Sequence, residues 1–184
     1  MRKIVLFVLL TALAIPAAKS QTYIKANALY YAVLVPNIAV ETKLSEHFTF
    51  NADAVFSPWK SINGSPYLIG QIIPDVRYYF KEANQGFYAG LYAAADVYKV
   101  SKWGHPGTDV QHGWGISLGA TVGYELPIAK RWLMDFYIGG GWHHGWYWGE
   151  DTRDGSVYAP WNRSGEWIPY RAGVSFGYRL GKKK

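Results

Sequence analysis

The 184-residue sequence contains no cysteine, only two methionines and few charges, with Asp, Glu, Lys and Arg making up 17% of it. Without cysteine there is no disulfide scaffold and no lipoprotein processing site. Long hydrophobic runs are equally scarce. A single one, Ile4 to Ala18, stands at the N-terminus, and mean hydropathy is −0.10 although 49% of residues are hydrophobic. The apolar residues are therefore interleaved with polar ones rather than gathered into spanning helices. Beyond Thr22 no stretch carries apolar residues at i, i+3, i+4 and i+7, so no helix is expected in the mature chain. What is abundant is aromatic: 9 Trp, 15 Tyr and 8 Phe. A disordered chain would lack these, and the glycines show no collagen period, which leaves one folded domain of ordinary size.

The N-terminus reads as an export signal. Arg2 and Lys3 precede the apolar run, which is too short for a comfortable membrane helix and ends in Ala18-Lys19-Ser20, with small residues where a signal peptidase needs them. Cleavage is expected after Ser20, giving a signal peptide over 1–20 and one domain over 21–184. Removing residues 1–20 takes away Arg2, Lys3 and Lys19, so the formal charge falls from +6 to +3. An exported chain with so small an excess and no basic stripe is not expected to bind nucleic acid.

After the signal the period is two. From Trp114 to Leu126 one face carries Trp114, Ile116, Leu118, Ala120, Val122, Tyr124 and Leu126, and the other Gly115, Ser117, Gly119, Thr121, Gly123 and Glu125. The same alternation recurs from Phe48 to Phe56 and from Tyr170 to Leu180. Eight strands are predicted near 22–34, 37–44, 47–58, 67–80, 87–101, 113–127, 132–148 and 166–180. The links after Leu44, Lys81 and Pro127 are short, whereas those over Lys60–Pro66, Lys102–His112 and Gly149–Gly165 are long and rich in turn formers. An even number of antiparallel strands, with short turns at one end and long loops at the other, is the pattern of an eight-stranded outer-membrane barrel.

A soluble barrel carrying a lipid would alternate too, with the faces exchanged. The polar faces carry Lys25, Glu41, Lys43, Asp53, Asp75, Arg77, Asp96, Glu125, Asp135, Arg171 and Arg179, both signs mixed with Gly, Ser and Thr. That composition suits a crowded lumen filled by ion pairs and closed to ions. The aromatics give a sharper criterion. Trp132 and Trp142 lie ten residues apart on one strand face, as do Trp114 and Tyr124 on the neighbouring strand. Ten tilted residues rise roughly 25 Å, the height of the apolar band between two aromatic girdles. Phe48, Tyr78, Phe80, Phe87, Tyr124, Trp132 and Tyr178 are expected to mark the inner girdle, with Trp114 and Trp142 in the outer one. The expected surroundings are lipid and lipopolysaccharide of a Gram-negative outer membrane.

Lys25-x-Asn27-x-Leu29-Tyr30, Pro36-Asn37 with Glu41, Pro58-Trp59 and Pro74-Asp75-Val76-Arg77-Tyr78-Tyr79-Phe80 resemble the small outer-membrane proteins of the domain of unknown function 3575 family, from Lys25 to Leu180. The resemblance implies an outer-membrane barrel, often encoded near fimbrial assembly components, with no established activity. The chain departs from that pattern with Asp75 where Glu is expected, Ser57 where Asn is expected, and a Gly-Lys-Lys-Lys tail after Leu180.

Catalytic signals are weak. Gly115-Ile116-Ser117-Leu118-Gly119 matches a nucleophile-elbow pattern, but that motif requires a strand-to-helix turn, and here it lies within an alternating strand. His143 and His144 are adjacent in a strand and face opposite sides, so they do not chelate one metal. No His and Ser stand at i, i+2 near the expected outer interface, and Ser156 and Ser164 are assigned to a loop. His105 and His112 offer at most a loop metal site. No catalytic residue, metal or cofactor is expected. Lipid-modifying enzyme and soluble lipid carrier remain as alternatives. The segment from Glu150 to Glu166 holds Tyr158, Trp161 and Arg163, candidates for a protein or glycan partner because exposed aromatics beside charges give contact area with polar handles.

Overall fold

The computed structural model describes residues 21–62, 65–101 and 108–181. The N-terminal segment 1–20, where an export signal is expected, Asn63, His105 and the terminal lysines lie outside them. Eight strands run in chain order: β1 (Thr22–Asn27), β2 (Asn37–Lys43), β3 (Phe48–Ile62), β4 (Ser65–Tyr79), β5 (Gly86–Ser101), β6 (Asp109–Pro127), β7 (Trp132–Asp151) and β8 (Val157–Leu180). Each pairs antiparallel with its neighbour, and β1 closes on β8 through Thr22↔Leu180 to Asn27↔Ser175. The alternation read from the sequence is therefore a closed up-and-down barrel. We call the end with the short turns after β2, β4 and β6 the inner end, and the opposite one the outer end.

Strand enters the links expected over Lys60–Pro66 and Lys102–His112, with β3 running to Ile62, β4 starting at Ser65 and β6 starting at Asp109, and two larger features depart from expectation. The chain is not strand from 22 to 34: β1 stops at Asn27, and Ala28–Ala32 forms one helical turn, α1. Asn27 supplies the cap, its side-chain oxygen accepting from the Leu29 amide at 3.0 Å, and Leu34 at φ 55° turns the chain toward β2. The Ala-Leu-Tyr-Tyr-Ala segment lacks the alternation that would hold it in a ladder. Secondly, Glu150 to Glu166 is not a long loop. Strands β7 and β8 continue outward as a paired hairpin whose turn occupies only residues 152–156, with register shifts between Gly139/Gly141 and Tyr147/Gly149. Pro160, Asn162 and Gly165 look like loop punctuation, but a register shift absorbs Pro160, and Asn162 and Gly165 pair regularly with Tyr147 and His144. Ser164, Tyr158, Trp161 and Arg163 therefore all stand on a strand.

Residues alternate cleanly across the wall. Leu91 is 73% and Leu118 68% exposed on the outside, whereas Glu41, Glu125, Tyr79 and Leu133 are fully buried. The lumen admits its large side chains because glycines lie opposite them: Tyr92 faces Gly119, Tyr88 faces Gly123 and Tyr137 faces Gly173 in the ladders, each ring lying over the glycine. A Cβ at Gly119 would meet both the Tyr92 ring and the Gly140 carbonyl oxygen. Gly119→Ala is expected to cost about 1–3 kcal/mol by overpacking, read as a lowered urea midpoint. Gly119→Ala combined with Tyr92→Leu should recover part of that loss.

Candidate functional site

The inner half of the lumen is a buried ion-pair network. Lys25 on β1 projects its ammonium between Glu41 of β2 (2.5 Å), Asp135 of β7 (2.7 Å) and Glu125 of β6. Arg77 on β4 reaches Glu41 (3.0 Å), Asp135 (2.8 Å) and Asp75 (3.0 Å). Asp75 in turn holds Arg171 of β8 at 2.5 Å. Neutral donors complete the shell: Thr49 and Tyr79 donate to Glu41, Tyr88 to Asp135 and Asn84 to Glu125. The guanidiniums of Arg77 and Arg171 also lie over the rings of Tyr88 and Tyr92. All eight strands thus contribute to one cross-braced plug, six of them with charged side chains, which satisfies charges that would be costly to bury singly.

Glu41, Glu125 and Asp135 bring carboxylate oxygens within 4.8 Å of one another, a spacing that a metal ion accepts. The Lys25 ammonium bonds to all three, so a fixed cation of the chain already neutralises the cluster.

Not every charge expected in this network belongs to it. Lys43 and Arg179 lie at the inner rim, where Lys43 pairs with Glu82 at 3.3 Å across a solvated gap. Asp53 and Asp96 sit further outward, in a different layer. Asp53 accepts from the Asn37 amide at 3.2 Å. Asp96 faces His143 Nε2 at 3.3 Å.

Asp96 and His143 border a cavity of about 460 Å³ in the outer half of the lumen. Val55, Ile69 and Val100 from β3 to β5 form one wall, and Gln111, His143, Ser164 and Glu166 from β6 to β8 the other. Tyr30, Val33 and Val35 close the side where β1 and β2 have ended. Sequence reading missed this chamber, since alternation shows which residues point inward but not how much space they leave. His143 was the visible signal: it is the histidine of the adjacent pair that faces the lumen, while His144 packs against Trp146 on the outside.

On the outer surface the aromatics gather at two levels. Phe48, Tyr78 and Phe80 touch in succession at the inner end, as do Phe87 with Tyr124 and Trp132 with Tyr178. Toward the outer end Trp114 stacks on Trp146 at 4.3 Å, Trp142 meets Trp167 edge-on, and Trp148 packs on Trp161 at 4.5 Å. Trp161 adopts a left-handed φ of 47° at this contact, while the Tyr158 ring lies over Gly149 and Arg163 pairs with Trp146 in the ladder. The turn beyond is fixed by Arg153, whose hydrogen bonds to Asp151 hold that carboxyl down at about 2. The pairing is present at neutral pH and lost only as the pH falls through that value.

These features define a class: a small, closed, eight-stranded antiparallel barrel, plugged by charge in its inner half and hollow in its outer half. The chain belongs to the family described as protein of unknown function DUF3575, whose model matches residues 4–180. No curated protein and no solved structure matches it.

Proposed function

We propose that the protein is an integral outer-membrane barrel, closed to ions, with a non-enzymatic role exercised at its outer end. One observation carries this reading: apolar side chains form the outside between two aromatic belts, and the charges are turned inward. Leu91, Val97, Ile116, Leu118, Val122 and Ile138 are all more than 45% exposed in that band. Water would penalise so continuous a patch, whereas hydrocarbon accepts it. The belts suit the bilayer interfaces, where aromatic rings with a polar edge are favoured. On this reading the export segment and the lipopolysaccharide surroundings follow together.

Sucrose-gradient separation of membranes tests the location. The mature chain, beginning at Gln21, is expected in the outer-membrane fraction and resistant to alkaline extraction. Recovery from a periplasmic extract without detergent would end the reading. The plug carries a second expectation: in planar bilayers the wild-type barrel should show no steady conductance, because ion pairs from six strands cross its lumen. A persistent open channel would contradict it.

A non-enzymatic role is supported by the state of the serine in the Gly115–Gly119 motif. Ser117 stands opposite His143 in the ladder, but its hydroxyl is buried and makes no hydrogen bond, so no activated nucleophile is assembled. The outer hairpin, with Tyr158, Trp161 and Arg163 exposed, is the surface we assign to a protein or glycan partner, in a fimbrial or adhesion system. Cross-linking on whole cells should capture a partner with the wild type and lose it with Tyr158→Ala/Trp161→Ala. An unchanged cross-linking pattern would remove this surface from consideration.

A further inference from the structure

The outer-half cavity holds two buried polar side chains with unmet hydrogen-bonding capacity. Asp96 and His143 are each 8% exposed, and neither Asp96 Oδ1 nor His143 Nδ1 has a partner among the described residues. Their one mutual contact, His143 Nε2 to Asp96 Oδ2 at 3.3 Å, places the ring proton of a neutral imidazole on Nε2. Both unmet atoms are then acceptors. Such groups are rarely left bare in a folded protein, so a donor is wanted at this spot.

The rest of the cavity specifies what that donor is attached to. The wall from β3 to β5 presents Val55, Ile69 and Val100, and Val33 and Val35 continue it below α1. The volume of about 460 Å³ lies within the range that holds one small ligand or alkyl chain. On the polar side Glu166 joins Asp96, so acidic groups outnumber the single histidine and a carboxylate or phosphate head would meet repulsion.

The ladder of the wall is interrupted on one side. Above Ser175, β8 has lost β1 as a ladder partner, and above Phe56, β3 has lost β2. The wall there is made of α1 and the 33–36 link, tied by Trp59 Nε1 donating to the Val33 carbonyl at 3.1 Å and Asn27 Nδ2 to the Ala172 carbonyl at 3.2 Å. These bonds stand there in place of a continuous ladder, and three cavity residues, Tyr30, Val33 and Val35, belong to this panel.

The structure assigns the outer half of the lumen as a binding site for a single-chain amphiphile with a hydrogen-bond-donating, uncharged or cationic head, its chain against Val55, Ile69 and Val100 and its head on Asp96 and His143. Entry past α1 from the bilayer rests on the membrane reading; the site itself does not.

The test is a titration of the isotope-labelled full mature chain, folded in micelles, with dodecylamine, dodecanol and dodecanoate, followed by amide chemical shifts. Dodecylamine and dodecanol should perturb Val55, Ile69, Val100 and His143 and saturate at one molecule per barrel, with dodecanoate at least tenfold weaker. Val55→Trp should abolish the saturable shifts. Asp96→Asn should shrink the preference for amine over carboxylate to less than threefold. If Val55→Trp does not fold, judged by heat-dependent gel mobility, Val100→Phe fills the same space from β5.

No saturable shift at these residues with either donor-headed probe would overturn the assignment, meaning that water alone meets Asp96 and His143. Equal affinity for all three probes, or binding indifferent to a filled cavity, would overturn it as well. Failure here leaves membrane fractionation unaffected, and a periplasmic protein that still binds dodecylamine would sink the membrane reading and keep the site.

Discussion

Lys25→Met should destabilise the barrel by about 3–5 kcal/mol, the cost of breaking a buried ion pair by removing one partner. The reason is geometric. Three carboxylates, Glu41, Glu125 and Asp135, converge within 4.8 Å, and the Lys25 ammonium bonds to each. Methionine keeps most of the volume and removes the charge, leaving Arg77 as the remaining cation in contact with the cluster among the described residues. Two like charges at such a distance repel strongly in a poorly solvated interior. Removing one of them should compensate: Lys25→Met/Glu125→Gln is expected to regain a large part of the loss, since Asn84 already bonds the other Glu125 oxygen. Urea unfolding followed by tryptophan fluorescence measures both. A Lys25→Met barrel within 1 kcal/mol of the wild type would show that the plug contributes little to stability and that its charges serve another purpose.

Much of this plug was legible in the sequence, and the reason is the period of the strand. Where Asp75 and Arg77, or Glu125 and Thr121, stand two or four residues apart in an alternating run, the pleat places them on one side. Closing eight such strands then leaves the polar side within reach of itself. Which charges meet was not legible, because partners come from strands far apart in sequence and depend on stagger: Lys25 meets Asp135 across 110 residues. Stagger also explains why Lys43 and Arg179, which share the phase of the inward residues of β2 and β8, sit at the rim instead of in the network. Alternation gives the side of the wall but not the height along it.

The misread segments have a common physical cause. Strand signals fade where the chain leaves the repeating environment of the wall. Ala28–Ala32 is apolar enough to extend β1, yet Asn27 offers a side-chain cap that competes with the ladder, and the helix turn wins. In the opposite sense, Pro160 and Gly165 promise a loop, but long neighbouring strands supply enough hydrogen bonds to carry β8 through its bulges. The cavity is a product of the first of these events. Had β1 and β2 continued outward, their inward side chains would occupy the space now bordered by Val33 and Val35.

The arrangement of faces permits a decisive experiment on the surroundings of the barrel. Leu118 lies on the outside of β6 between Trp114 and Tyr124, 68% exposed and paired across the ladder with Trp142. Leu118→Arg makes no clash inside the lumen, so its effect reports the medium outside. Near the middle of a bilayer an outward arginine costs about 2–4 kcal/mol. On a water-facing surface the same change should stay within about 0.5 kcal/mol of neutral. Thr152→Arg, in the exposed turn beyond β7, serves as the control and should be silent in both media. We expect Leu118→Arg to lower folding stability into a bilayer by the larger amount and to reduce the heat-modifiable folded fraction in cells, with Thr152→Arg unchanged. The two media predict effects that differ by more than 1 kcal/mol, well outside the scatter of such measurements. A neutral Leu118→Arg in bilayers would mean that the apolar band is covered by something other than lipid, and the aromatic belts would then need another explanation.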